Sequence, residues 1–133
     1  MRGLNLRDYF ENTEGTGIMA SADATGKTNI AIYARPRVLD DGRVALLLAN
    51  RLTLSNLRSN PHAAYLFIEN GPGYRGIRLY LEVAGEERAP EKVRAMLRNP
   101  MHKRAGEDLT VVYFKVERVL SLVGPEEIEV KGA

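Results

Sequence analysis

The chain has no cysteine, no tryptophan and two histidines in 133 residues. Without cysteine there are no disulfides, no thiolate metal ligands, no thiol nucleophile and no iron–sulfur ligation. His62 and His102 are too few for a His-rich metal site, and neither stands in a recognisable haem-ligand context. An excess of one charge is also missing: 19 basic residues stand against 17 acidic ones, and the two signs are interspersed. That balance argues against a disordered tail and against a nucleic-acid stripe. No apolar run approaches membrane-spanning length, and "MRGLNLRDYFENTEG" lacks the apolar core of a secretory signal. The expectation is a cytoplasmic protein with neither a membrane nor a nucleic-acid partner. Phosphate-loop, dinucleotide and nucleophile-elbow motifs are absent as well.

A chain of this length makes one domain, residues 1–133, too small to enclose a large cleft alone. Leu6, Tyr9 and Phe10 have the spacing of a short amphipathic helix that Gly15 and Gly17 release. The segments 16–22 and 28–34 flank the turn "DATGK" and read as a hairpin. Ile30, Ile32 and Ala34 fall on one face of its second strand, and Asn29, Ala31 and Tyr33 on the other. Residues 43–49 form a strand without polar alternation, as expected when both faces are covered. Asn50 or Thr53 then caps a helix that Asn60 and Pro61 end. Two strands follow, 62–68 and 77–83, the second alternating cleanly from Ile77 to Val83. Pro90 opens a helix with Val93, Met96 and Leu97 at helical spacing, and Pro100 stops it. A long strand over 109–123 precedes a charged, fraying tail. This order predicts a mainly β protein: a six-stranded antiparallel barrel with short flanking helices.

Polar chemistry concentrates in "RLTLSNLRSNP", residues 51–61, which joins two apolar strands. Arg51, Ser55 and Arg58 share one helical face, while Leu54 and Leu57 point elsewhere to pack. A helix start offers unpaired N–H groups and a positive dipole end, so Arg51 and the Thr53 hydroxyl there can seat a phosphate. A solvated surface helix with a capping threonine fits the same residues. The glycine-rich "NGPGYRG" adds Tyr74 and Arg75, which can stack on a planar ligand or simply form a hairpin loop. Basic and aromatic residues around Tyr74, Arg75, Arg78 and Tyr80 also suit single-stranded nucleic acid, but no continuous stripe exists.

Residues 15–88 resemble the split-barrel flavin-binding family, which includes pyridoxamine 5′-phosphate oxidase and the small bacterial FMN-binding proteins. The resemblance rests on the N-L-x-x-N-P signature at Asn56, Leu57, Asn60 and Pro61, and on the "NGPGYRG" loop. It implies a split barrel working as a homodimer, with FMN at the subunit interface and a small molecule as substrate or electron donor. The flavin would lie along Ala31, Ile32, Tyr33 and Ala34, near Leu48. Its phosphate would sit at Arg51, Leu52 and Thr53, with Tyr74 and Arg75 near the ring. Many relatives carry lysine where Thr53 stands, which leaves Arg51 to supply the charge. The chain also lacks the Arg-x-His motif and C-terminal extension of the true oxidase. A non-catalytic electron carrier and a relative using haem or a deazaflavin are the other readings the resemblance leaves open.

Overall fold

The computed structural model describes residues 3–96 and 108–131. The first helix, α1 (Leu6–Asn12), starts where the Asn5 side chain accepts from the Asp8 N–H, and it buries Leu6 and Phe10. The chain then enters β1 (Gly15–Ala22) and β2 (Thr28–Tyr33), an antiparallel pair. The Asp23 carboxylate closes their turn by accepting from the N–H groups of Thr25 and Lys27 and from the Thr25 hydroxyl.

The remaining strands are β3 (Arg37–Val38), β4 (Val44–Ala49), β5 (His62–Glu69), β6 (Gly76–Glu87) and β7 (Leu109–Ser121). Helix α2 (Leu52–Ser59) joins β4 to β5, and α3 (Pro90–Met96) follows β6. All seven strands form one sheet in the order β2-β1-β5-β6-β7-β4-β3, every pairing antiparallel. The sheet curls into a half-barrel around its core.

Among the described residues the count is therefore seven strands, not six. The additional one, β3, has two residues, too few for any alternation to register in the sequence. The α2 cap also differs from expectation. Arg51 occupies the N-cap position without a side-chain capping bond, and Thr53 is inside the helix. The helix ends as expected, with the Asn60 N–H bonding the Asn56 carbonyl. The Leu97 and Pro100 readings lie outside the described residues. The tail does not fray up to Lys131: Leu4 bridges Val130, and Ile128 donates to the Val119 carbonyl at 2.8 Å.

β4 is buried almost throughout, and both α2 and α3 pack near it. Inside the curl, Tyr9, Phe10, Tyr65 and Phe67 meet edge to face at centroid distances of 5.3–6.2 Å. Such rings contribute both buried area and favourable quadrupole contacts. The Tyr9 hydroxyl donates to Glu69 at 2.7 Å. Burial first, then that bond and the Glu69 charge, push its pKa above the ordinary tyrosine value. An unfolded tyrosine gives up its proton near pH ~10, where the folded Tyr9 still holds it. Its contribution to stability is thus full below that pH and lost as pH rises above it. Denaturant titrations through alkaline pH are expected to show this decline, and a shallower one in Tyr9→Phe.

Candidate functional site

β2 is an edge strand, paired on one side by β1 alone. In such a strand alternate residues leave main-chain N–H and C=O groups without a ladder partner. Its faces divide as the alternation predicts. Ile30 and Ile32 point outward, 71% and 74% exposed, whereas Tyr33 is buried and Asn29 and Ala31 are half-buried. Gly17, opposite Tyr33 in β1, is small enough for the Tyr65 hydroxyl to pass and donate to the Ala34 carbonyl at 2.9 Å. That bond fixes the chain where it leaves β2.

The start of α2 faces the inner side of β2. Between them lies a groove of about 350 Å³ lined by Asn29, Ala31, Ile32, Tyr33, Ala49, Arg51, Leu52 and Thr53. Ligand clefts usually begin near this volume. Six of the residues assigned from the resemblance meet here: Ala31, Ile32, Tyr33, Arg51, Leu52 and Thr53. Asn29 and Ala49 were missed, although Asn29 shares the alternating face that carries Ala31 and Tyr33. Ala34 lies just past the end of β2. The Leu48 side chain is fully buried in the hydrophobic core, and its neighbour Ala49 lines the groove instead. Tyr74 and Arg75 sit in the β5–β6 loop and do not line this groove within one chain. Tyr74 is 83% exposed with a left-handed φ of 50°, an uncommon conformation for a residue other than glycine.

Among the described residues no carboxylate and no imidazole lines the groove. The first-turn N–H groups of α2 have no acceptor within the helix, and the dipole adds partial positive charge there. Arg51 is at this end, and the Thr53 side chain is buried beside it. Arg58 shares the exposed face with Arg51 and Ser55, as expected, but it is engaged elsewhere. Its guanidinium donates to Glu86 at 2.7 and 3.3 Å, and that bond holds the Glu86 carboxyl below the usual carboxylate range. A larger depression of about 590 Å³ lies beside α1, but Glu11, Glu14 and Glu69 line it and would repel an anion.

The N-L-x-x-N-P signature is structural in this chain. Asn56 is buried and donates to the Ser21 hydroxyl at 3.2 Å, and the Asn60 side chain accepts from the His62 N–H. These bonds hold α2 against β1 and the start of β5, which sets the groove's width.

No family model and no curated protein matches the chain. Solved structures do. An FMN-binding protein from Syntrophomonas wolfei is 18% identical with a TM-score of 0.74, covering 92% of this chain and 86% of its own. A pyridoxamine 5′-phosphate oxidase-like protein from Lactobacillus delbrueckii is 18% identical with a TM-score of 0.65, covering 89% and 93%. An F420 reductase gives 16% identity and a TM-score of 0.58, covering 79% and 88%. The chain has the split-barrel fold of these proteins. Within this split barrel the groove between β2 and α2 combines a helix start whose N–H groups suit an anion with a strand edge that offers main-chain groups. Among the described residues no cluster of His, Asp and Glu could hold a metal, and no helix is long and apolar enough to cross a membrane.

Proposed function

We propose that this chain is an FMN-binding flavoprotein that acts as an oxidoreductase on a small substrate. The observation that carries this reading is the groove itself. Cationic and N–H donors gather at its α2 end, neutral and apolar residues line its β2 wall, and no carboxylate among the described residues lines it. The donor set fits FMN: Arg51, the α2 amides and the Thr53 hydroxyl would hold the phosphate, and the Ala31–Ala34 edge would lie along the ring. FMN, when bound, supplies hydride and electron transfer, and the protein orients the ring and excludes water. Haem suits the groove less well, because it offers no imidazole among the described residues.

The test is the absorbance spectrum of purified protein, before and after addition of FMN. Flavin bands that stay with the protein through gel filtration support the reading, and a colourless chain that ignores added FMN overturns it. A second reading, an electron carrier without its own substrate, is favoured by one feature: among the described residues no Asp, Glu, His or Lys lines the groove. Steady-state consumption of NADH or NADPH by the FMN-loaded protein argues for turnover, and its absence for a carrier.

We also infer that the working form is a homodimer. Outside the curl, Ile32, Ile18 and Leu66 line up across β2, β1 and β5, and Ile30, Ala20 and Ala64 form the next row. A contiguous apolar sheet face of this kind marks an association surface, and its free β2 edge borders the groove. A second copy seated there would complete the site, and the exposed Tyr74 and Arg75 are the residues assigned to that completion. Light scattering is expected to give twice the 14.8 kDa chain mass. Ile30→Asp, which puts a charge on the face without touching the groove, is expected to return the mass to that of one chain.

A further inference from the structure

Thr53 is only 2% exposed, yet it lines the groove. Its oxygen accepts from Asn29 Nδ2 at 3.3 Å, and among the described residues no acceptor takes its own proton. A hydroxyl both donates and accepts. With a donor already delivered to the oxygen by Asn29, the O–H is left to point away from Asn29 and toward the groove. Ser21, opposite Asn29 in the β1–β2 register, accepts from Asn56 of α2 at 3.2 Å. Two side-chain bonds therefore tie α2 to this strand pair, and a retreat of Thr53 would strain both.

We propose that Asn29 is a positioning residue that makes the groove discriminate a phosphorylated flavin from an unphosphorylated one. By donating to Thr53 Oγ1, it fixes the Thr53 hydroxyl as a donor to the phosphate monoester. A phosphate dianion only accepts hydrogen bonds, so a hydroxyl turned the other way would meet it lone pair to lone pair. The proposal rests on the flavin reading above, and it assigns the phosphate's recognition to a neutral pair working beside Arg51. Aspartate at position 29 would reverse the arrangement: it would accept the Thr53 proton and place a negative charge next to the phosphate.

The experiment is a fluorescence titration of the full chain with FMN and with riboflavin, for Asn29→Ala, Thr53→Val and the double variant. Each single change is expected to weaken FMN binding about tenfold and to leave riboflavin binding unchanged. The double variant is expected to be no worse than either single one, since each change removes what the other depends on. Asn29→Asp should lose more FMN affinity than Asn29→Ala despite its closer shape. Asn29→Leu, which keeps the branched four-atom shape of the side chain, replaces Asn29→Ala if the latter does not fold. Losses that add, or that fall equally on FMN and riboflavin, overturn the role given to Asn29 while leaving the flavin site standing. An unaltered chain that binds neither ligand overturns the flavin reading and this proposal together.

Discussion

Exchanging Arg51 for glutamate is expected to weaken FMN binding by about a hundredfold, roughly 3 kcal/mol. The side chain stands at the start of α2, where helix N–H groups and dipole already favour an anion. Hydrogen bonds to charged groups are among the stronger ones, and a carboxylate in the same place adds repulsion to the loss. The comparison that isolates the cause is Arg58→Glu, about two turns further along the same face of the helix. Arg58 is held by Glu86 and does not line the groove. Its reversal is expected to leave FMN affinity nearly intact, even though the change in net charge is identical. Equal losses from both variants, measured by titration, would mean that long-range charge and not a local grip governs binding.

Gly17→Ala is expected to destabilise the fold by about 3 kcal/mol, the upper part of the usual overpacking range. A Cβ at this position would stand 1.8 Å from the Tyr65 hydroxyl oxygen and 2.7 Å from the Tyr33 carbonyl oxygen. The first contact belongs to a fully buried ring and the second to backbone, so neither can give cheaply. Because Tyr65 also donates to the Ala34 carbonyl, the strain reaches the end of β2 and the groove wall. Tyr65→Phe removes the nearest clashing atom, and in that background the cost of Gly17→Ala should shrink. Chemical denaturation of the four proteins of this cycle measures the coupling directly. Simple additivity would show that the glycine's smallness serves something other than the tyrosine.

Six of the groove residues came from the family resemblance, and two periodicities placed them locally. The alternation of Asn29, Ala31 and Tyr33 assigned them one face, and the polar run from Arg51 placed a helix start after a buried strand. Which face of β2 turns inward was not legible. Ile30 and Ile32 are the more hydrophobic pair, and yet they face outward, so hydrophobicity alone would have turned the strand over. An inward face built from Asn29 and Ala31 leaves open space beneath α2, and that space is the groove. Leu48 was unreadable for a different reason: β4 is apolar on both faces, so its sequence carries no signal for side. β3 escaped because two residues, Arg37 and Val38, hold no pattern. The anchored tail escaped because its hold comes from main-chain bonds to Leu4, Val119 and Ser121, which any residue can supply.

Where the phosphate sits can be read directly from amide NMR shifts as FMN and then riboflavin are titrated into the labelled chain. If the α2 start holds the phosphate and the β2 edge holds the ring, FMN shifts the amides of Leu52, Thr53 and Leu54 together with those of Ala31, Ile32 and Tyr33. Riboflavin then shifts the β2 set and leaves the α2 set still. Shifts centred on the depression beside α1, with the α2 amides unmoved by FMN, would contradict the assignment of this groove as the flavin site.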